Sequence, residues 1–574
     1  MIPFRRKVIE LLGVLTFSLV ASSAVAQEIP PNLEDAPPIL PIPEEPAPVQ
    51  PLPPLEEVLP DSETIPPGSQ LTPEQIPGTI VLKRFDVEGS TVFTKEELAE
   101  ILEPYTLRPI TFAELLEVQE AITQLYVDNG YITSGAFIPP QTVEDRVLRV
   151  RVIEGSVSID IKGLERLNSD YVRSRLEIAT NAPLNREKLL NALQLLQLDP
   201  LIATLSAELE PGVSPGNSIL SVEVKEADVF NLGVAFDNNR SPAVGTDRIG
   251  VSLSQGNFFG FGDRISVGYA HTDGSDSLND LTYTVPLNPQ NGTFSFTYLY
   301  SDSEIIEEPF DALNIESTRN TYQATYRQPL YQTPNEDFAL GFSFTRDESE
   351  VKYKPPGVRE FEPFPLSPEP DGQTKISALR FFQEYTSRNQ SQVFALRSQF
   401  SLGIDAFDPT IRDNNEPDSE FFVWRGQAQY LRLLSPETTL LLRLDTQLAN
   451  DPLVPIEQFS LGGAFTVRGY RQDVLLADSG IFASAEIRTP ILRLGESSVL
   501  QFTPFIDVGH VWNIDKENEL EKDTLLSLGV GLRLLVSDFL TARIDWGIPL
   551  LDLDDTDKTL QENGVHFSIE TNLF

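Results

Sequence analysis

The chain runs to 574 residues, more than one compact core supports, so two or more domains are expected. A formal net charge of −42 argues against nucleic acid as a partner, because phosphate binding asks for a basic surface. The absence of cysteine excludes thiolate chemistry, disulfides and cysteine-ligated metals, and the three histidines (His271, His510, His566) lie far apart in sequence.

Arg5, Arg6 and Lys7 precede a mostly apolar run, Leu11 to Val20, and Ala24-Val25-Ala26 offers small residues for cleavage. That order predicts a secretory signal over 1–26, with a buried N-terminal helix as the alternative. Downstream, no stretch approaches the roughly 20 apolar residues a membrane helix needs. A membrane-spanning structure would therefore have to be a closed barrel. Residues 27–78 are crowded with prolines, such as Pro37-Pro38, Pro53-Pro54 and Pro66-Pro67, and with acidic residues. Such a segment reads as an extended, disordered linker with a reach of about 160 Å.

Two similar units follow. In the first, 79–154, a strand over Ile80–Glu88 leads to Gly89, and Thr94…Glu97 and Thr111…Glu114 resemble capping boxes. Leu115, Val118, Ile122 and Leu125 form a helical stripe that stops at Asn129-Gly130. Strands are expected at Tyr131–Ile138 and Val147–Glu154. In the second unit, 155–227, the order repeats: strand Val157–Ile161, Gly163, helices near Asp170–Leu176 and Arg186–Gln197, strands Ile202–Glu210 and Ser218–Glu226. Tandem β-α-α-β-β modules are the economical reading.

From 228 to the end the helical period gives way to alternation. Phe294, Phe296, Tyr298 and Tyr300 share one face, as do Leu526, Leu528, Val530, Leu532 and Leu534, and Leu540, Ala542, Ile544, Trp546 and Ile548. About sixteen such runs occur. Short turns such as Asn288–Gly292 alternate with longer acidic loops, among them 302–318, 347–373, 405–420, 449–479 and 548–563. Long loops at one end only, with an even strand number, predict an antiparallel transmembrane barrel of about 16 strands.

Motifs for chemistry are weak. Gly212-Val213-Ser214-Pro215-Gly216 imitates a nucleophile elbow, but Pro215 has no N–H for an oxyanion hole, and the segment reads as a hairpin loop. Asp552, Asp554, Asp555 and Asp557 imitate a calcium loop without its glycine or its final glutamate. A solvated loop is the expectation, with loose divalent-ion binding as the alternative. No phosphate-cradling G-x-x-x-x-G-K-[ST] occurs. No catalytic residue, metal or cofactor is expected, and the chain does not read as an enzyme.

The informative constellation lies in the sixth external loop. It holds Leu461-Gly462-Gly463 and then Val467-Arg468-Gly469-Tyr470; two strands on stands Phe505-Ile506-Asp507-Val508-Gly509. With the tandem modules and the turn Gly256–Asp263, these residues resemble the POTRA-barrel superfamily, which holds outer-membrane insertases and secretion transporters. Within it the chain most resembles the TpsB transporters of two-partner secretion, the haemolysin secretion/activation proteins. The resemblance covers nearly everything from residue 79 onward.

It implies a membrane all-β fold, two α+β POTRA-like domains preceding the barrel of 228–574, in an outer membrane with the POTRA domains in the periplasm. It also implies that the sixth loop folds into the lumen, where Arg468 pairs with Asp507 on the wall. A charged, hydrogen-bonding partner suits an arginine in a partly dry lumen. Gly469 would let the tip approach the wall, Tyr470 would offer a flat ring with a polar end, and Glu486 and Arg488 would join the lumenal network. The implied partners are an unfolded TpsA-like exoprotein client met by the POTRA domains, outer-membrane lipid, and the barrel assembly machinery, for which Phe574 would be a signal. Alternatives are an insertase of the same superfamily or a passive porin. The proline-rich segment departs from relatives with a helical plug, and Phe574 is out of phase with Phe567, Ile569 and Leu573.

Overall fold

The computed structural model describes residues 78–573, apart from 215, 366, 368, 413–415, 496, 516–519, 538 and 554–558. The expected signal, the linker through residue 77, Phe574, Pro215 and three of the four loop aspartates therefore lie outside the described residues. No described helix is long and apolar enough to cross a membrane.

One compact unit comprises the described residues up to Asp228 together with Phe259–Gly262. It contains two modules of one design. The first has β1 (Arg84–Glu88), α1 (Lys95–Leu102), α2 (Phe112–Asp128), β2 (Gly135–Phe137) and β3 (Val147–Ile153). The second has β4 (Ser156–Lys162), α3 (Ser169–Thr180), α4 (Arg186–Gln197), β5 (Ile202–Pro211) and β6 (Asn217–Glu226). In each, the first strand lies parallel to the last and the fourth element antiparallel to it.

Local chemistry explains these elements. Thr94 with Glu97, and Thr111 with Glu114, close reciprocal capping boxes on α1 and α2. Val118, Ile122 and Tyr126 turn one helical face into the first core, with Val150 and Val152 beneath. Leu189, Leu193 and Leu196 do the same over Leu220, Val222 and Val224. Gly89 and Gly163 end the first strand of each module with φ of 93° and 86°, and a side chain at either would run into the carbonyl of Val152 or Val224. Two residues beyond those carbonyls, a carboxylate caps the loop: Glu154 accepts from the N–H of Thr91 at 2.6 Å and Val92 at 3.2 Å. Glu226 accepts from Glu165, Arg166 and Leu167 at 2.7, 2.8 and 2.8 Å. Burial works to raise both acids, but these donors prevail and hold both below the usual glutamate range.

The other unit is a closed antiparallel barrel of sixteen principal strands. They are β7 (Phe230–Asp237), β8 (Arg248–Gly256), β9 (Arg264–Thr272), β10 (Ser275–Pro286), β11 (Thr293–Glu304), β12 (Glu316–Gln332), β13 (Glu336–Tyr353) and β14 (Gln373–Asn389). There follow β15 (Gln392–Gly403), β16 (Phe422–Ser435), β17 (Thr438–Ala449), β18 (Ser479–Arg493), β19 (Ser498–Trp512), β20 (Thr524–Val536), β21 (Leu540–Pro549) and β22 (Val565–Asn572). Neighbours in sequence are neighbours in space, and β22 closes on β7 through Ser568–Asn572.

Alternation sets the two faces. On β20, Leu528, Val530 and Leu532 are exposed while Ser527, Gly529 and Gly531 face inward and are buried. Trp546 on β21 is 53 % exposed between inward Asp545 and Gly547, so the outer face of the barrel is apolar.

Several expected boundaries need correction. The strand expected at Tyr131–Ile138 is only Gly135–Phe137, and Ile80–Val81 pairs separately with Pro109–Ile110. Helix α3 continues four residues past Leu176 to Thr180. Strands β11, β12, β13 and β14 outrun their apolar stretches, so loops 302–318 and 347–373 shrink to 305–315 and 354–372. The extensions, such as Glu348-Ser349-Glu350, carry polar residues on both faces, which backbone pairing tolerates and alternation cannot reveal.

Candidate functional site

The long connection between β17 and β18 returns into the barrel. Phe459–Leu461 and Leu475–Ala477 pair as a small hairpin. Phe459, Leu461, Val467 and Leu475 join Phe482, Val511 and Leu525 of the inner wall in one apolar cluster. Hydrophobic burial thus holds the base of the loop, and charge holds its tip. Gly462 and Gly463 lead into that tip; Thr466 Oγ1 accepts from the Gly462 N–H at 2.9 Å.

Arg468 is 1 % exposed. Its Nε donates to Asp507 Oδ2 at 2.7 Å and its Nη2 to Oδ1 at 2.9 Å, a two-point grip on one carboxylate. Its Nη1 donates to Glu486 Oε2 at 2.5 Å and lies 3.8 Å from Asp545 Oδ2. The Ser484 hydroxyl, in register with Asp507, donates to Oδ1 at 2.6 Å. Phe505 lies under the guanidinium with 3.5 Å to the ring centroid, adding a cation–π contact. The network widens along the wall: Arg488 Nε donates to Glu486 at 2.8 Å, and Arg543 donates to Glu486 and Asp545 at 2.6 Å each. Arg468, Arg488 and Arg543 thus balance Glu486, Asp507 and Asp545. Removing one partner from such a buried set costs about 3–5 kcal/mol, because a charge is left unanswered.

The remaining motif residues make room or hold backbone. A Cβ on Gly509 would sit 2.6 Å from Leu461, so its size admits the loop. Gly469, at φ 99°, lies backbone to backbone against Gly547; a Cβ there would come within 2.9 Å of the Gly547 carbonyl carbon. The Tyr470 hydroxyl is 2.9 Å from the carbonyl oxygens of Leu526 and Leu551, clamping the tip against two wall segments. Val467, Arg468, Gly469 and Tyr470 therefore meet Phe505, Asp507, Gly509, Glu486 and Arg488 in one place. Phe574 lies outside the described residues.

Sequence reasoning missed Asp545, Arg543 and Gly547 on β21, Ser484 on β18 and His566, whose Nε2 accepts from the Gly469 N–H at 3.4 Å. It also missed two outlying tethers: Arg380 on β14 to Glu457 at 2.6 Å, and Arg471 to Glu307 at 2.8 Å and Glu562 at 3.4 Å. One signal was available. Leu528-Gly529-Val530-Gly531-Leu532 alternates large outward residues with inward glycines, and the glycines leave the space that Phe505 and Asp545 occupy.

Ser214 lies in the β5–β6 hairpin, where the Asn217 N–H donates to its carbonyl at 3.0 Å. Among the described residues no group of three His, Asp or Glu is arranged to hold a metal.

Residues 80–155 match the POTRA domain, ShlB-type, and residues 216–353 and 371–534 match the haemolysin secretion/activation protein ShlB/FhaC/HecB. Among curated proteins, the outer membrane transporter CdiB of Dickeya dadantii is 22 % identical over 489 residues, 82 % of each chain. The heme/hemopexin transporter protein HuxB of Haemophilus influenzae is 22 % identical over 453 residues, 76 % of this chain and 78 % of its own. Among solved structures, CdiB from Escherichia coli superposes with a TM-score of 0.66 at 20 % identity, covering 88 % of this chain and 92 % of that one.

Proposed function

The chain belongs to the haemolysin secretion/activation protein family ShlB/FhaC/HecB, and from that premise we propose how it moves a client. It is an outer-membrane transporter of two-partner secretion. The periplasmic modules, 79–154 and 155–227, receive an unfolded exoprotein, and the barrel of 228–574 passes it outward. A signal at 1–26 and a spacer at 27–78 complete the layout, with Phe574 read by the assembly machinery.

Strand β5 supports client capture: among the described residues it pairs only with β6, leaving ten residues of edge to take an added strand. The exposed apolar faces of the barrel strands support contact with lipid. The lack of any nucleotide-cradling motif supports export without nucleotide hydrolysis by this chain, which is not an enzyme.

The carrying observation is Arg468, fully buried and gripped by Asp507 and Glu486, on a loop that crosses the path a client would take. Export requires that tip to shift, and client folding outside supplies direction. Replacing Arg468 with Ala is expected to leave the barrel inserted and heat-modifiable on gels while the amount of client released to the medium falls. Normal release by a correctly inserted variant would refute the role of the tip. Deleting the gene and comparing released proteins identifies the client; a general loss of outer-membrane proteins instead would mark an insertase.

A further inference from the structure

The three arginines and three carboxylates around the tip balance only while Arg468 is present. When the tip withdraws, the wall keeps Arg488 and Arg543 against Glu486, Asp507 and Asp545. One carboxylate of the wall would then lack a cationic partner, at a cost that would oppose opening.

One more arginine faces this wall. Arg443 on β17 stands in register with Ser484, which stands in register with Asp507, so the three share one row of adjacent strands. Glu486 is one step along the same face, opposite Leu441. Unlike its lumenal neighbours, Arg443 makes no ion pair among the described residues. Its Nη1 donates to the Phe465 carbonyl of the loop at 3.0 Å, and its guanidinium lies 5.2 Å from the centre of the Phe482 ring. The carboxylate next to it on β17, Asp445, is already held by Arg425 at 2.8 Å. Among the described residues, the hydrogen-bond partner that Arg443 would lose is the loop itself, and it would lose it at the moment Asp507 loses Arg468.

We propose that Arg443 is a reserve cation which, when the loop tip leaves, moves from the Phe465 carbonyl to the vacated Asp507–Glu486 pocket and so stabilises the open lumen. This rests on the moving tip proposed above and names the wall residue that lets it move. Arg443 is a positioning residue: it acts through the electrostatics of the wall, not through the client. A simple tether makes the opposite prediction, since losing a tether frees the loop.

The full chain in planar lipid bilayers tests this by spontaneous openings, with no client needed. Arg443→Gln is expected to open several-fold less often than the native chain, and Arg443→Lys, which keeps the charge, close to normally. Equal or more frequent openings in Arg443→Gln overturn the proposal. A second reading uses the unfolding temperature in detergent. Arg443→Gln should leave it unchanged or raise it when Arg468 is present, by relieving cation crowding, but lower it in the Arg468→Ala chain. The same shift in both backgrounds also overturns the swap. Openings unchanged by Arg468→Ala would instead remove the moving tip, and the swap with it. Openings increased by Arg468→Ala but indifferent to Arg443→Gln would spare the tip and reject Arg443.

Discussion

Carboxylates are satisfied in two different ways in the two units. In the modules, Glu154 and Glu226 are held by backbone N–H groups of their own fold, donors that cannot leave without unfolding the loop. In the barrel, Asp507 and Glu486 are held by Arg468, a side chain on a loop whose base is apolar and whose tip is fixed by charge. The first arrangement suits a permanent joint. The second fits the moving tip proposed above: strong because the partners are buried, and separable because one partner sits on a separate segment.

The contrast breaks most sharply at the wall. Asp507→Ala leaves the Arg468 guanidinium facing one close carboxylate instead of two, so the barrel should lose about 3–5 kcal/mol, read as a lower unfolding temperature in detergent. Gly547→Val should come next. Its Cβ would meet the Arg468 backbone within 2.7 Å, displacing the tip with every charge still present. Client release should fall as in Arg468→Ala, and a conductance matching the native chain would show that the close approach does not matter. Phe505→Leu removes only the ring under the guanidinium and should cost about 1–2 kcal/mol, without closing or opening the pore on its own.

The smallest effect is expected in the modules. Glu226→Gln replaces a charged acceptor, partly screened by water, with a neutral one, so the loss should not exceed about 1 kcal/mol, seen as faster amide exchange at Glu165, Arg166 and Leu167. Because the folded acids titrate below their ordinary value, the stability they add is complete above the usual carboxylate range and drains away as pH falls through the lowered value. Acid titration of exchange in these loops should therefore show protection at neutral pH and loss only well into acid, and Glu226→Gln should flatten that profile in the second module alone.

Periodicity and punctuation were enough to read the sixteen-strand plan, because an inner face and an apolar outer face impose a two-residue alternation that survives in any register. The capping boxes at Thr94 and Thr111 were equally legible, since both partners lie within one turn. The motif pair at Arg468 and Asp507 was readable only through its resemblance to a family. Folding alone could reveal Asp545, Arg543, Gly547 and Arg443. Each lies on a strand whose own pattern is ordinary, and each matters because closing the barrel and turning one loop inward brings segments distant in sequence within hydrogen-bond reach. Local pattern records which face a residue takes; which charges meet there is settled by barrel register and loop path, where burial makes an unpaired charge too costly to leave.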